Sequence, residues 1–165
     1  MRRPAMIPFI SKKRCWILAP LVYAVIWASS AFGAEIRIPP LSARPGQSID
    51  IPILIDEVDN LAGVKLVMTY DPKILTYKKG TKTKETDSLM HIVNDKKPGV
   101  LIVVMAGARG IRGKAFPILT LTFDVKEGLK GNHTAAISIT EVQLMSDQLK
   151  DIKCTVKTSP ITISP

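Results

Sequence analysis

Ser48-Ile49-Asp50-Ile51-Pro52-Ile53-Leu54-Ile55 decides the fold class. An isoleucine stands at every second position. Successive side chains of an extended strand point to opposite faces, so this spacing puts all four isoleucines on one side. The same period returns at Val64, Leu66, Met68 and Tyr70, set against Lys65, Val67 and Thr69. It returns again at Leu119, Leu121, Phe123 and Val125, set against Thr120, Thr122 and Asp124. Each stretch predicts a strand with one buried and one wetter face. Val100 to Ala106 is a continuous apolar run bounded by Pro98-Gly99 and Gly107, and it predicts a central strand covered on both sides.

The rest of the chain extends this pattern. Ile137 and Ile139 share one parity, while Val142 and Leu144 have the other. A bulge near Thr140-Glu141 would reconcile them. Ile152, Cys154 and Val156 predict a further strand, and Pro160 predicts an edge or a change of strand before Ile161 and Ile163. Turn residues separate the strands at Arg44-Pro45-Gly46, Asp71-Pro72, Pro98-Gly99 and Lys130-Gly131-Asn132. A short turn is expected at Lys73 to Leu75. The charged, threonine-rich stretch Lys78 to Lys84 reads as a solvated loop. Many short strands with regular turns predict an all-β sandwich or jelly roll. Its core is expected to hold Leu66, Met68, Tyr70, Val103, Leu121 and Phe123.

The 165 residues include 23 Lys+Arg and 14 Asp+Glu, a formal net charge of +9. That basicity is concentrated at the start. Arg2, Arg3, Lys12, Lys13 and Arg14 precede an apolar run from Cys15 to Ala28, and small residues follow through Ala31, Gly33 and Ala34. This order is that of an export leader over residues 1–33, cleaved before Ala34. Cleavage after Ala34 would put Phe32 at the −3 position, where small residues are preferred. The apolar run is short against the roughly 20 residues of a membrane span. Membrane attachment is therefore expected only through an uncleaved leader. Cys15 opens the apolar run instead of closing it, unlike a lipobox cysteine. Without the leader, 18 basic and 14 acidic residues remain, a net charge of +4. No basic stripe with interleaved aromatics is left, which argues against a nucleic-acid partner. Residues 34–165 form one expected domain, placed outside the cytoplasm, and Cys154 is its single cysteine. It is expected to be buried in a strand.

Signs of catalysis are sparse. His91 and His133 are the only histidines, and neither has a second ligand at metal spacing. No Gly-x-Ser-x-Gly or His-Glu-x-x-His occurs. Gly107 to Lys114 resembles a phosphate loop but has one residue too many between Gly107 and Gly113, and Ala115 stands where a hydroxyl should meet magnesium. It reads as a basic glycine-rich turn. Asp56 and Glu57 read as solvated acids at a strand end. Asn132-His133-Thr134 is a sequon that matters only in a glycosylating host. No catalytic residue, metal site or cofactor is expected.

Five landmarks in order resemble a cohesin domain. They are Pro45-Gly46-Gln47-Ser48-Ile49-Asp50-Ile51-Pro52-Ile53, Val58-Asp59-Asn60-Leu61-Ala62-Gly63, Tyr70-Asp71-Pro72-Lys73-Ile74-Leu75, Pro98-Gly99-Val100-Leu101-Ile102 and Leu119 to Val125. The resemblance runs from about Glu35 to Ile163. It implies a nine-stranded jelly-roll β-sandwich, a non-catalytic binding module whose partner is a dockerin-like domain received on one sheet face. The strand ending in Tyr70 contributes to that face in the family. The partner-binding residues are then expected to be Lys65, Val67 and Thr69, with Arg109 at the rim. The same fold superfamily includes carbohydrate-binding modules, so polysaccharide binding is the alternative. That reading needs a row of exposed aromatic rings, and Trp16 and Trp27 both lie in the leader.

Overall fold

The structure is a computed structural model that describes residues 33–165, so the leader expected over 1–33 lies outside the described residues apart from Gly33. Eleven strands follow in order: β1 (Ala34–Ile38), β2 (Leu41–Ala43), β3 (Ser48–Tyr70), β4 (Leu75–Lys82), β5 (Met90–Asn94), β6 (Val100–Val125), β7 (His133–Ala135), β8 (Ile137–Ser146), β9 (Asp151–Ile152), β10 (Cys154–Thr158) and β11 (Ile161–Ile163). The fold is the expected all-β sandwich. Its strand count exceeds the nine implied by resemblance, and several of the eleven are pieces of two or three residues.

Two long strands form the frame. β3 has 23 residues and β6 has 26, and they pair antiparallel from Ser48 opposite Asp124 to Thr69 opposite Val100. The first part of β3 and the last part of β6 lie between β1 and β4. The other ends of the same two strands lie between β8 and β5. One ribbon thus supplies the centre of both layers. β2, β11 and β7 make a separate three-stranded sheet.

The ribbon must bend to do this. Register shifts fall between Ile53 and Leu54 and again between Val58 and Gly63. Asn60 has a φ of 69° and Ala115 a φ of 51°, the left-handed conformation that lets a strand gain a residue and turn. Inward parity changes at the bend, from Ile49, Ile51, Ile53 and Ile55 to Val64, Leu66 and Met68. Gly110 faces Asn60 so closely that a Cβ on it would lie 1.8 Å from the Asn60 Oδ1 and 2.6 Å from the Asn60 carbonyl carbon. Only glycine fits there without moving backbone.

Three expectations are corrected by this geometry. Gly107 to Lys114 is not a turn but the crossing part of β6, with Lys114 opposite Glu57 and Ile111 opposite Leu61. Its composition is turn-like because neither side of the crossing is buried under a sheet. Lys78 to Lys84 is not a loop over most of its length. Lys79 to Lys82 pair with Thr122 to Leu119 at the edge of a sheet, where exposed lysines discourage pairing with another chain. Asp56 is not a solvated turn acid, because its Oδ1 accepts N–H bonds from Glu35 and Glu57, both at 2.6 Å.

The smaller signals fall where they were read. Glu141 pairs with Val67 and Ile139 with Met68, leaving Thr140 as the bulge residue, whose hydroxyl donates to the Val67 carbonyl at 3.1 Å. Beyond Pro160 the chain changes sheets, and β11 joins β2 and β7. After Asp71-Pro72 the Asp71 carbonyl accepts from Ile74 and Leu75, closing the short turn. Gly99 has a φ of 82° in the turn before β6. Cys154 is a free thiol, partly buried instead of fully so, and desolvation raises its pKa. A feature missed in the sequence is Thr86, fully buried, whose hydroxyl donates to the Ile118 carbonyl at 3.0 Å and so holds the stretch after β4 against β6.

The core fills from the inward faces of both layers. Leu66, Met68, Val103, Leu121 and Phe123 are fully buried. Tyr70 is only partly buried, with its ring edge-on to Phe123 at a centroid distance of 5.1 Å, and Tyr77 meets the same ring at 5.7 Å. Phe123 therefore joins three elements. Phe123→Ala is expected to cost about 3–5 kcal/mol in a urea titration of the folded protein, as for other fully buried aromatics. A loss below about 1 kcal/mol would contradict that role.

Candidate functional site

The outer face of the layer formed by β8, β3, β6 and β5 carries Met90, Ile92 and Val104, three of the four large apolar side chains exposed among the described residues. The strand registers set its side chains in rows. Met145, Gly63, Ala106 and Met90 stand side by side, followed by Gln143, Lys65, Val104 and Ile92, and then by Glu141, Val67, Ile102 and Asn94. Ser138, Thr69 and Val100 close the far end. Strand and residue spacings make this field roughly 15 by 20 Å. Met90 is 72% exposed, Ile92 64% and Val104 42%.

Val100 to Ala106 therefore departs from expectation. Leu101, Val103 and Met105 are buried, but Val104 and Ala106 face solvent and Ile102 is only partly covered. The strand is apolar on both sides, yet this chain covers one side only. The neighbouring strand β5 has the same character, because Met90 and Ile92 point outward while His91 and Val93 lie on the more covered side.

Lys65, Val67 and Thr69 stand together on this face, half-buried, as their parity predicts. The Lys65 Nζ lies 2.5 Å from the Glu141 Oε1. This ion pair leaves the middle of the field electrically balanced. Arg109 is exposed in the crossing part of β6, beyond the row of Ala106, and its side chain is not in an ion pair among the described residues. Met90, Ile92, Ile102, Val104 and Met145 are the face residues that sequence reading missed. Their signal was present in the alternation of Met90 to Asn94 and in the even positions of Val100 to Ala106.

A hollow of about 190 Å³ opens in the field, floored by Gly63 and Ala106 and walled by Lys65, Val104, Gln143 and Met145. The missing side chain of Gly63 creates it. The opposite outer face has the reverse character. The Ser48 hydroxyl donates to the Asp124 Oδ1 at 2.5 Å, the Thr122 hydroxyl to the Asp50 Oδ1 at 2.6 Å, and Lys78 lies 3.0 Å from Asp124. The Ser48 hydrogen bond first, and Lys78 second, hold the Asp124 carboxyl below its ordinary value.

Other places offer less chemistry. A cavity of about 840 Å³, open to solvent, lies between β8 and β10 and is bordered by Val142, Leu144, Ile152 and Cys154. It lacks any histidine and any paired carboxylates. Among the described residues no group of three or more His, Cys, Asp or Glu is placed to hold a metal. His91 Nε2 lies 3.2 Å from the Gly80 carbonyl and His133 Nε2 lies 3.0 Å from that of Lys130, so both rings sit against backbone. The aromatic side chains of the described residues are Tyr70, Tyr77, Phe116 and Phe123, and all four pack on the core. No ring platform for a sugar stands on an outer face among them.

A family model for the cohesin domain matches residues 34–163. No curated protein matches the chain. Several solved structures share the fold. The sixth cohesin of scaffoldin B from Acetivibrio cellulolyticus, in complex with a mutant Cel5 dockerin, has a TM-score of 0.70 at 18% identity, covering 80% of this chain and 98% of that one. A non-cellulosomal cohesin from the hyperthermophilic archaeon Archaeoglobus fulgidus has a TM-score of 0.68 at 16% identity, covering 80% and 90%. A type I cohesin–dockerin complex from Clostridium thermocellum gives a TM-score of 0.66 at 18% identity, covering 80% and 98%.

The two outer faces make separate expectations. In an NMR titration the Asp124 carboxyl is expected to titrate below 3.8, and Ser48→Ala to move it back up. An unchanged midpoint in that variant would remove the hydrogen bond as the cause. On the apolar face, Ile92→Thr and Val104→Thr are expected to leave stability within about 0.5 kcal/mol of the parent, as for solvent-facing positions. Both should weaken binding of an apolar fluorescent dye. A large drop in stability would mean that this chain, and not a partner, covers the face.

Proposed function

The chain belongs to the cohesin family, and we propose that it captures a dockerin module on the outer face of β8, β3, β6 and β5. The observation that carries this reading is the solvent-facing apolar set Met90, Ile92 and Val104, lying beside Val67 and Ile102 in one sheet. An apolar patch of this extent on an exposed face marks a site of association. Its dimensions suit one or two helices, each about 10–12 Å across. Covering a side chain such as Ile92 contributes on the order of 1.5–3 kcal/mol. The rim of Glu141, Gln143, Asn94 and Thr69 supplies hydrogen-bonding groups around an apolar centre, the usual anatomy of a specific interface.

The hollow at Gly63 gives this interface an anchor point. A flat sheet offers no depth, whereas a gap between Val104 and Met145 admits one apolar side chain from a partner helix. The Lys65–Glu141 pair weakens any preference for a strongly acidic partner, since each charge already has its complement. The role is that of a non-catalytic binding module. We also propose that it acts outside the cytoplasm, on the basis of the basic, apolar and small-residue order of residues 1–33.

Dockerin modules encoded in the same genome, presented to the immobilised protein in turn, provide the test. At least one should bind, and Ile92→Asp should weaken it at least about 100-fold, equivalent to about 2.7 kcal/mol. Against a dockerin with an acidic helix, Lys65→Glu should weaken it less, mainly by slowing association at low salt. Equal binding by Ile92→Asp and the parent would move the site off this face. Retention of polysaccharide with no dockerin bound would favour a carbohydrate-binding module instead.

A further inference from the structure

We infer that the mature chain begins at Ala34 and that its new α-ammonium is held in the fold by the Lys153 carbonyl and the Asp56 carboxylate. β1 starts at Ala34, directly after the small residues that end the leader pattern. Ala34 is only 3% exposed and belongs to the core. Its N–H donates to the Lys153 carbonyl at 2.9 Å, and Ala34 stands opposite Cys154 in the parallel pair with β10. A cut after Ala34 would delete a core residue and the first bond of that pair. A cut before Ala34 keeps every core residue among those described.

The charge around this point is unbalanced in a way that a terminal ammonium corrects. Asp56, Glu57 and Asp59 on β3 line a hollow of about 430 Å³ together with Gly33, Ala34, Val58 and Ile152. Glu57 is paired with Lys114 at 2.8 Å and Asp59 with Arg112 at 3.4 Å. Glu35 is paired with Lys157 at 2.6 Å. Asp56 alone of these acids has no cationic partner among the described residues, and it already accepts the N–H of Glu35, the residue next to the new terminus. The other charged or titratable groups lining the hollows beside Gly33 are Asp151, Lys153 and Cys154, while Arg37 lies further along β1 and Asp50 and Lys65 further along β3. Hydrolysis of the Gly33–Ala34 amide by water leaves a carboxylate on Gly33, which departs with the leader, and an amine on Ala34, which takes a proton. One N–H of that ammonium keeps the bond to Lys153. The other two face the hollow that Gly33 vacates, where Asp56 stands. In the folded protein β1 is paired on both edges, by β10 and by β3, so the cut precedes its docking.

The full chain, expressed in an exporting host, tests the first half by intact mass of the exported protein. A product starting at Ala34 is expected, and one starting at any other residue, or retaining Met1, overturns the inference. An NMR titration of the Ala34 α-amino group in that product tests the second half. Its pKa should lie about one unit above the ordinary range of about 7.7–8.0. Asp56→Asn, which keeps an oxygen for the Glu35 N–H, should return it to that range, while Glu57→Gln should not. A raised folded-state value means that the stabilisation is complete below the unfolded pKa and is lost as pH rises through the folded one. The melting temperature should accordingly fall from pH 7 to pH 10 more in the parent than in Asp56→Asn. An α-amino pKa in the ordinary range, or one unmoved by Asp56→Asn, overturns the capture. Dockerin binding on the opposite layer is independent of either result.

Discussion

The close approach of two backbones at Asn60 and Gly110 is the constraint on which the sandwich rests. β3 and β6 are each long enough to serve in both layers, and they can do so only if they bend together. Asn60 turns one strand through a left-handed residue, and Gly110 leaves room for it on the other. β1, β4, β5 and β8 each attach to one half of this ribbon. The first half of β3 gains β1, and the second gains β8. Because one ribbon makes the middle of both layers, its inward side chains meet across the core, and Phe123 touches rings from β3 and from β4. The outer sides of the two halves face solvent independently. One became hydrogen-bonded and charged, and the other became apolar.

Much of this architecture was legible in alternation. The isoleucines at 49, 51, 53 and 55 and the pattern 119 to 125 reported buried faces correctly, because each strand covers its own inner side with side chains of one parity. The Thr140 bulge was legible for the same reason, since two parities flanked it. Alternation was silent wherever a strand buries neither face. Gly107 to Lys114 crosses between layers and Lys79 to Lys82 runs along an edge, so both are polar and both looked like connections. Backbone pairing holds them in place, and backbone pairing leaves little mark on composition. Val58 to Gly63 was recognised by its landmarks, but its role as the bend depends on Gly110, some fifty residues away in sequence and visible only once the strands are paired.

The candidate face shows a different limit. Periodicity reports which sides of a strand are apolar, not what covers them. Val100 to Ala106 was correctly apolar on both sides, and the assumption that this chain supplies both covers was the error. β5 compounds it, since its largest apolar side chains point away from the core. Lys65, Val67 and Thr69 were legible from their outward parity, but the engagement of Lys65 by Glu141 depends on the pairing of β3 with β8. The sequence carries one of the four strands of the face clearly, and the pairing assembles the rest.

The parallel pairing of β1 with β10 and of β2 with β11 has a consequence for how the chain comes to be folded. Ala34 meets Cys154 and Ala43 meets Ile163, so the first strands of the domain gain parallel neighbours about 120 residues further along the chain. On a ribosome those first strands emerge early and wait, at the far side of a loop of about 120 residues whose closure costs entropy before any contact repays it. Closure of the sandwich therefore waits until β10 and β11 have been made. A chain that stops before β10 leaves β2 without its partner β11 and β1 open on one edge, and such edges are free to pair with other chains. The order of events along the polypeptide makes β10 and β11 a checkpoint for the whole domain.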